Sequence, residues 1–277
     1  MKRIKDWEEL TIQDNFLFQK VMRNKRLCQH LIEKILQIKI ADITYPDTEK
    51  TIDIRLDSKS VRLDVYVKDD TGRVFDIEMQ CTDEKDNGLA KRTRYYQAMI
   101  DMDVLEKGDD YSMLNPAYII FICTFDAFDR GLPMYTFRNR CVEQDGIELN
   151  DEATKIFLNS KGDSEALDPD VRAFLRYVDG KAAEGVFVQE VDKEVRRVKQ
   201  HDETRREYMT LAMELKRQRQ EGIAEGLAEG LAEGSANEKK KIIVTMLQKG
   251  LSVEFIADCV QTSAEYIIEL GKKQHLL

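Results

Sequence analysis

Residues 62–80 read Arg-Leu-Asp-Val-Tyr-Val-Lys-Asp-Asp-Thr-Gly-Arg-Val-Phe-Asp-Ile-Glu-Met-Gln, and the rest of the chain is arranged around this stretch. Two alternating runs rich in β-branched and aromatic residues flank Asp69-Asp70-Thr71-Gly72-Arg73. The pattern predicts a β-hairpin with a three-residue loop, Asp70-Thr71-Gly72, whose glycine takes a positive φ. That loop pairs Asp69 with Arg73 and sets the register of the arms. Leu63 then faces Met79, Val65 faces Ile77 and Val67 faces Phe75, so one face is apolar. The other face carries Arg62 opposite Gln80, Asp64 opposite Glu78 and Tyr66 opposite Asp76, because alternate residues share a face.

Carboxylates directly across a strand pair repel. On this register, removing one acid relieves that repulsion. A hard cation between the two would convert the cost into a site, since Mg²⁺ is held by one or two carboxylates plus phosphate oxygens and water. The alternative is a half-solvated sheet with both acids turned to water. From the pattern alone both readings stand.

The wording Arg62-Leu-Asp-Val-Tyr66 followed by Ile77-Glu-Met-Gln80 resembles the PD-(D/E)xK nucleases. Within them it is similar to the branch of family transposases, or recombination-promoting nucleases. The resemblance runs from about Asp14 to Phe128, with an echo in the C-terminal Glu-Gly repeats. It implies a divalent-metal-dependent DNA endonuclease associated with transposition or recombination. It implies Asp64 and Glu78 as ligands of Mg²⁺ (or Mn²⁺), the Met79 backbone carbonyl as a third ligand, and Asp14 as a further candidate. Gln80 stands where most of the superfamily has lysine; an amide can orient a water but carries no charge. The hairpin register puts Arg62 across from Gln80, so Arg62 is read as the source of the missing charge. The alternative function is a catalytically degenerate nuclease fold that binds nucleic acid or protein.

Other features narrow the field. The net charge of −9 over 277 residues confines any nucleic-acid contact to a local basic patch. The five cysteines are scattered without a Cys-x-x-Cys pair, which points to reduced thiols and not a zinc ribbon. No apolar run approaches 18 residues and no signal peptide is evident, so the expectation is a cytoplasmic protein with no membrane contact. The three histidines form no catalytic or metal-binding constellation, and no Gly-x-x-x-x-Gly-Lys or Gly-x-Ser-x-Gly motif occurs.

Along the chain, an amphipathic helix is predicted from Asp14 through Leu27, Leu31, Ile35 and Ile38, with Asp14 suited to its cap. A strand over 51–56 and a turn at 57–60 precede the hairpin. A helix over 87–106 carries Lys91, Arg92, Arg94, Tyr95, Tyr96 and Gln97. Arg92 and Tyr96 share a face at i and i+4. One reading is a solvated basic face over core tyrosines. The other, which the resemblance favours, has Arg92, Arg94, Tyr96 and Gln97 meeting nucleic acid. Ala117-Tyr-Ile-Ile-Phe-Ile-Cys123 reads as a strand covered on both faces. Antiparallel strands, a helix and a buried strand assemble into a three-layer α/β/α core, and the resemblance makes it restriction-endonuclease-like with a mixed sheet.

The expected domains are 1–185 (the nuclease-like core), 186–237 (a charged helical segment) and 238–277 (a small helical tail resembling a helix-turn-helix, with caps at Ser252 and Ser263). The middle segment holds four Glu-Gly units at 221, 225, 229 and 233, three of them followed by Ile-Ala or Leu-Ala. Four glycines cost about 1 kcal/mol each against alanine in a helix, so the stretch is either a tether or a helix held by a partner. The second reading makes the chain a homo-oligomer through these repeats.

Overall fold

The computed structural model describes residues 3–46, 51–52, 61–83, 88–105, 107–163 and 165–277, with 51–52 and 61–62 as backbone alone. The turn expected at 57–60 and most of the strand expected at 51–56 lie outside the described residues.

The predicted hairpin is present as β4 (Val65–Asp69) and β5 (Val74–Gln80), with Val65 paired to Ile77, Tyr66 to Asp76 and Val67 to Phe75. Gly72 closes the loop at φ +89°. That conformation selects glycine, and a Cβ added there would also press on the Asn115 side-chain oxygen at 3.0 Å. The Asp69 carboxylate fixes the turn by accepting the backbone N–H groups of Thr71 and Arg73 and pairing with the Arg73 guanidinium.

β5 then continues the sheet in the other direction. It pairs in parallel with β6 (Ala117–Cys123), which pairs in parallel with β8 (Ala153–Asn159). β7 (Met134–Phe137) and β1 (Ile43–Thr44) add antiparallel edges, giving a mixed six-stranded order β1-β4-β5-β6-β8-β7. Helix α3 (Gly88–Val104) covers one face, packing Leu89, Met99 and Ile100 into the cluster of Ile119, Phe121 and Cys123. Val65, Val67, Phe75, Ile77, Ile120 and Ile122 are buried on the alternate face. There α1 (Asn15–Met22) meets β5 and packs with α2 (Lys25–Leu36) and α5 (Val186–Lys199), while α4 (Pro169–Val178) joins α2 and α5. Full burial of side chains such as Phe75 and Ile77 contributes about 1.5–3 kcal/mol each.

The helix expected to run from Asp14 is divided in two. Asn24 stands between the halves and accepts the Leu27 N–H, restarting the helix at a new angle. Val188, Val191, Val195 and Val198 of α5 are buried, and the chain divides into a unit of Lys5–Met209 and a second unit containing Thr210–Leu277.

The Glu-Gly repeats lie within one continuous helix, α6 (Asp202–Gln248). Its end packs Ile243 and Leu247 against Ile256 of α7 (Val253–Val260) and Ile267 of α8 (Ala264–Lys273). Ser252 and Ser263 cap these two helices by accepting the N–H groups of Phe255 and Tyr266. No described helix is long and apolar enough to cross a membrane.

Candidate active site

The antiparallel ladder of the hairpin stops at Val65 and Ile77, one residue short of the paired acids. Within β5 the even-numbered residues bond to β6, as Val74 N–H to Pro116 O at 2.8 Å and Thr124 N–H to Gln80 O at 3.0 Å. Strand alternation therefore turns the main-chain groups of Ile77 and Met79 toward β4. Beyond Val65 the Met79 N–H meets the Asp64 carboxylate, which accepts it at 3.1 Å. In return Glu78 Oε1 accepts the Asp64 N–H at 2.7 Å. The chain bends at Asp64, and Leu63 joins the α3-side cluster with Tyr66 in place of the expected pairing across from Met79. Asp64 and Glu78 are thus brought together near the carboxyl end of β5, by reciprocal bonds and not by the regular ladder.

Helix α1 completes the surroundings of Asp64. Gln19 Nε2 donates to its Oδ1 at 2.8 Å, with Asn15 Nδ2 at 3.4 Å from the same oxygen. A third acid sits on the strand face of Glu78. Asp76 is completely buried opposite Tyr66, and among the described residues neither of its carboxylate oxygens has a hydrogen-bond donor. Burial, and then the charge of Asp64, raises the Asp76 carboxyl well above the ordinary range. Burial and the charges of Asp76 and Asp64 raise Glu78 likewise, against the opposing pull of the Asp64 N–H and Arg92.

The cation beside this group comes from α3. Arg92 Nη2 donates to Gln80 Oε1 at 2.7 Å, and its guanidinium lies 4.8 Å from the centre of the Phe121 ring and 5.6 Å from that of Tyr96. The other end of the Gln80 amide donates to the Thr82 carbonyl at 2.5 Å, so this buried side chain is held at both ends. Burial raises the Tyr96 hydroxyl above its ordinary range.

Several expected site residues are placed elsewhere. The backbone of Arg62 belongs to β3 (Val61–Arg62) and pairs with Thr51 of β2 (Thr51–Ile52), so Arg62 is not across from Gln80; its side chain lies outside the described residues. The register argument fails because it extended the ladder past Asp64, where the strand bends. The Asp14 carboxylate is 2.8 Å from Lys5 Nζ and accepts the Thr11 N–H at 2.8 Å; it makes no side-chain cap to α1. Arg94 is exposed, and Gln97 donates to Asp101 at 2.9 Å. Of the four α3 residues expected to meet nucleic acid, Arg92 and Tyr96 adjoin the acids.

Asp76 and Gln19 are the residues that sequence reasoning left out. Asp76 is two positions before Glu78, a spacing that already puts both on one strand face. Nothing in the local pattern around Gln19 marks it, since its role depends on α1 packing against β5.

Among the described residues, no three His, Cys, Asp or Glu side chains converge as a complete metal cage. The donor set nevertheless fits a hard cation that keeps much of its water. Asp64 and Glu78 offer carboxylate oxygens close to one another, and among the described residues no donor reaches the buried Asp76 oxygens beside them. The Met79 carbonyl shares the β4-facing edge with the Met79 N–H that Asp64 holds. A cavity of about 410 Å³ lined by Tyr118, Arg138, Glu148 and Asp151 lies at the opposite ends of β6 and β8, away from these acids.

A family model described as PD-(D/E)XK nuclease family transposase matches residues 15–162. The match extends beyond Phe128 to take in β7 and β8. No curated protein and no solved structure matches the chain.

Proposed function

The chain belongs to the PD-(D/E)XK nuclease family transposases, and from that premise we propose that it is a divalent-metal-dependent DNA endonuclease acting in transposition or recombination. The observation that carries the proposal is the reciprocal bonding of Asp64 and Glu78 at the carboxyl end of β5. Asp64, Glu78 and the Met79 carbonyl would hold Mg²⁺ or Mn²⁺. Such an ion, when bound, polarises a phosphoryl oxygen and lowers the pKa of a bound water.

The chain's own residues supply the rest. Gln19 holds the Asp64 carboxylate in orientation from α1, as outer partners of metal ligands do. The half-buried Tyr96 on α3 presents a hydroxyl beside the acids where a phosphate oxygen would arrive. Self-association through α6 belongs to the same proposal, supported by the exposure of Ile223, Leu227 and Leu231 along its repeats.

Plasmid nicking tests the proposal. Supercoiled DNA should be nicked with Mg²⁺ or Mn²⁺ and left intact by Asp64→Ala. A second reading, a non-cleaving nucleic-acid-binding module, draws support from Gln80, whose amide is tied to Thr82 and Arg92 in place of a free lysine. That reading prevails if the wild type retards the plasmid without nicking it and binds no Mn²⁺.

A further inference from the structure

We propose that Tyr208 and Glu207, at the start of α6, are positioning residues for the metal ligand Asp64, acting through Gln19 of α1. This role rests on the nuclease reading, and all of its residues lie within the unit Lys5–Met209.

Helix α1 has eight residues, about two turns, and its side chains fall into three groups around the axis. Leu17, Phe18, Val21 and Met22 are fully buried and anchor one side in the core. Asn15 and Gln19 bring their amides to the Asp64 carboxylate, at 3.4 and 2.8 Å. Phe16 and Lys20 stand about 100° further round the axis from that pair, on the side away from the core anchors.

The start of α6 grips this third side. The Phe16 ring lies 5.2 Å from that of Tyr208, and Lys20 Nζ is 2.6 Å from the Glu207 carboxylate. Lys20 also sits over the Phe16 ring at 5.3 Å, so the two contacts form one cluster. Tyr208 is buried and held in its turn. Its hydroxyl donates to the Lys5 carbonyl at 2.7 Å, and Trp7 backs its ring at 5.7 Å.

The consequence is a restraint on the roll of α1. Core packing fixes where the helix lies, but a small roll about its buried side carries Gln19 along the Asp64 carboxylate. A grip on the opposite side stops that roll. Binding geometry has to be held within about 0.5 Å, and a metal ligand that loses its outer partner loses affinity. The Lys20–Glu207 pair is partly exposed, so the Tyr208 ring carries most of the restraint.

The test uses the full chain, with Mn²⁺ as the calorimetric probe at a temperature where the variants are folded. Tyr208→Ala changes no charge and lies one contact beyond the outer partner of Asp64. It should weaken Mn²⁺ binding by about 3–10-fold, less than the loss of Gln19 itself. Tyr208→Phe keeps the ring on Phe16 and should bind as the wild type does. The deciding measurement is the double variant. Tyr208→Ala placed on Gln19→Ala should change the affinity by less than about twofold, because the link it acts through is already cut. Phe16→Leu repeats the same cycle from α1 where Tyr208→Ala fails to fold. Wild-type affinity in Tyr208→Ala or Phe16→Leu overturns the proposal. So does an equal loss with and without Gln19, which marks a general loosening of the fold, and so does a loss in Tyr208→Phe as large as in Tyr208→Ala. A wild type that binds no Mn²⁺ overturns the proposal together with the nuclease reading.

Discussion

Glu78 accepts the backbone N–H of Asp64 at 2.7 Å, while the Asp64 carboxylate accepts the N–H of Met79, the residue after Glu78. Each acid therefore holds the main chain beside the other. The bonds replace the ladder that would have continued from Val65 and Ile77.

This clasp reverses the effect expected from simple cross-strand repulsion. Relief of like charge is worth about 0.2–1 kcal/mol, whereas a buried N–H left without an acceptor costs about 1–3 kcal/mol. Asp64→Ala should thus destabilise the protein by about 1–2 kcal/mol while abolishing Mn²⁺ binding. Glu78→Gln retains an acceptor oxygen and should also lose Mn²⁺ binding, yet melt no lower than the wild type. Chemical denaturation and calorimetry read both quantities; an Asp64→Ala protein more stable than wild type would refute the clasp.

The raised carboxyls set a pH dependence of definite sign. Asp76 and Glu78 bind protons in the folded chain that the unfolded chain releases. Their stabilising contribution is complete below the ordinary carboxylate range and is lost as pH rises through their raised values. Asp76→Asn supplies an amide that can donate to Glu78, so it should stabilise the protein near pH 8 by about 1–3 kcal/mol in EDTA. The difference should shrink as pH falls toward 4. Melting curves across this range check the sign, and a gap independent of pH would contradict it.

Gln19 and Asp14, on and beside α1, should behave oppositely. Gln19 bonds Asp64 directly, so Gln19→Ala should weaken Mn²⁺ affinity by about 10–100-fold. The Asp14 carboxylate is committed to Lys5 and Thr11, so Asp14→Asn should leave the affinity unchanged and cost about 0–1 kcal/mol of stability. Calorimetric titration of the pair decides between them as partners of the site.

Helix α6 offers a test free of the site. Cβ atoms added at Gly226 and Gly230 meet nothing within 4 Å among the described residues. Gly226→Ala with Gly230→Ala should therefore stabilise the helix by about 1 kcal/mol per site and raise ellipticity on heating. Sedimentation of the wild type against a chain ending at Gln220 reads the proposed self-association, which the shortened chain should lose.

The sequence by itself determined the hairpin, its glycine turn and its register as far as Val65 and Ile77, because each depends on neighbours a few residues apart. Alternation placed Asp76, Glu78 and Gln80 on one face, and the apolar run 117–123 announced a strand covered on both sides. The repeats of α6 were visible as a pattern, but continuity through four glycines was not legible from propensity. Tertiary structure decided the site. The bend at Asp64 arises where Met79, Glu78 and the α1 amides offer the chain better bonds than another rung of the ladder. That bend removed Arg62 from the position the register had assigned it. Arg92 took the place beside Gln80 because α3 crosses the sheet there, at a separation of twelve residues. Local rules extend a regular element until something stops it, and here it is stopped by side-chain bonds to Glu78 and Met79 of the partner strand together with Gln19 of α1, which no local rule anticipates.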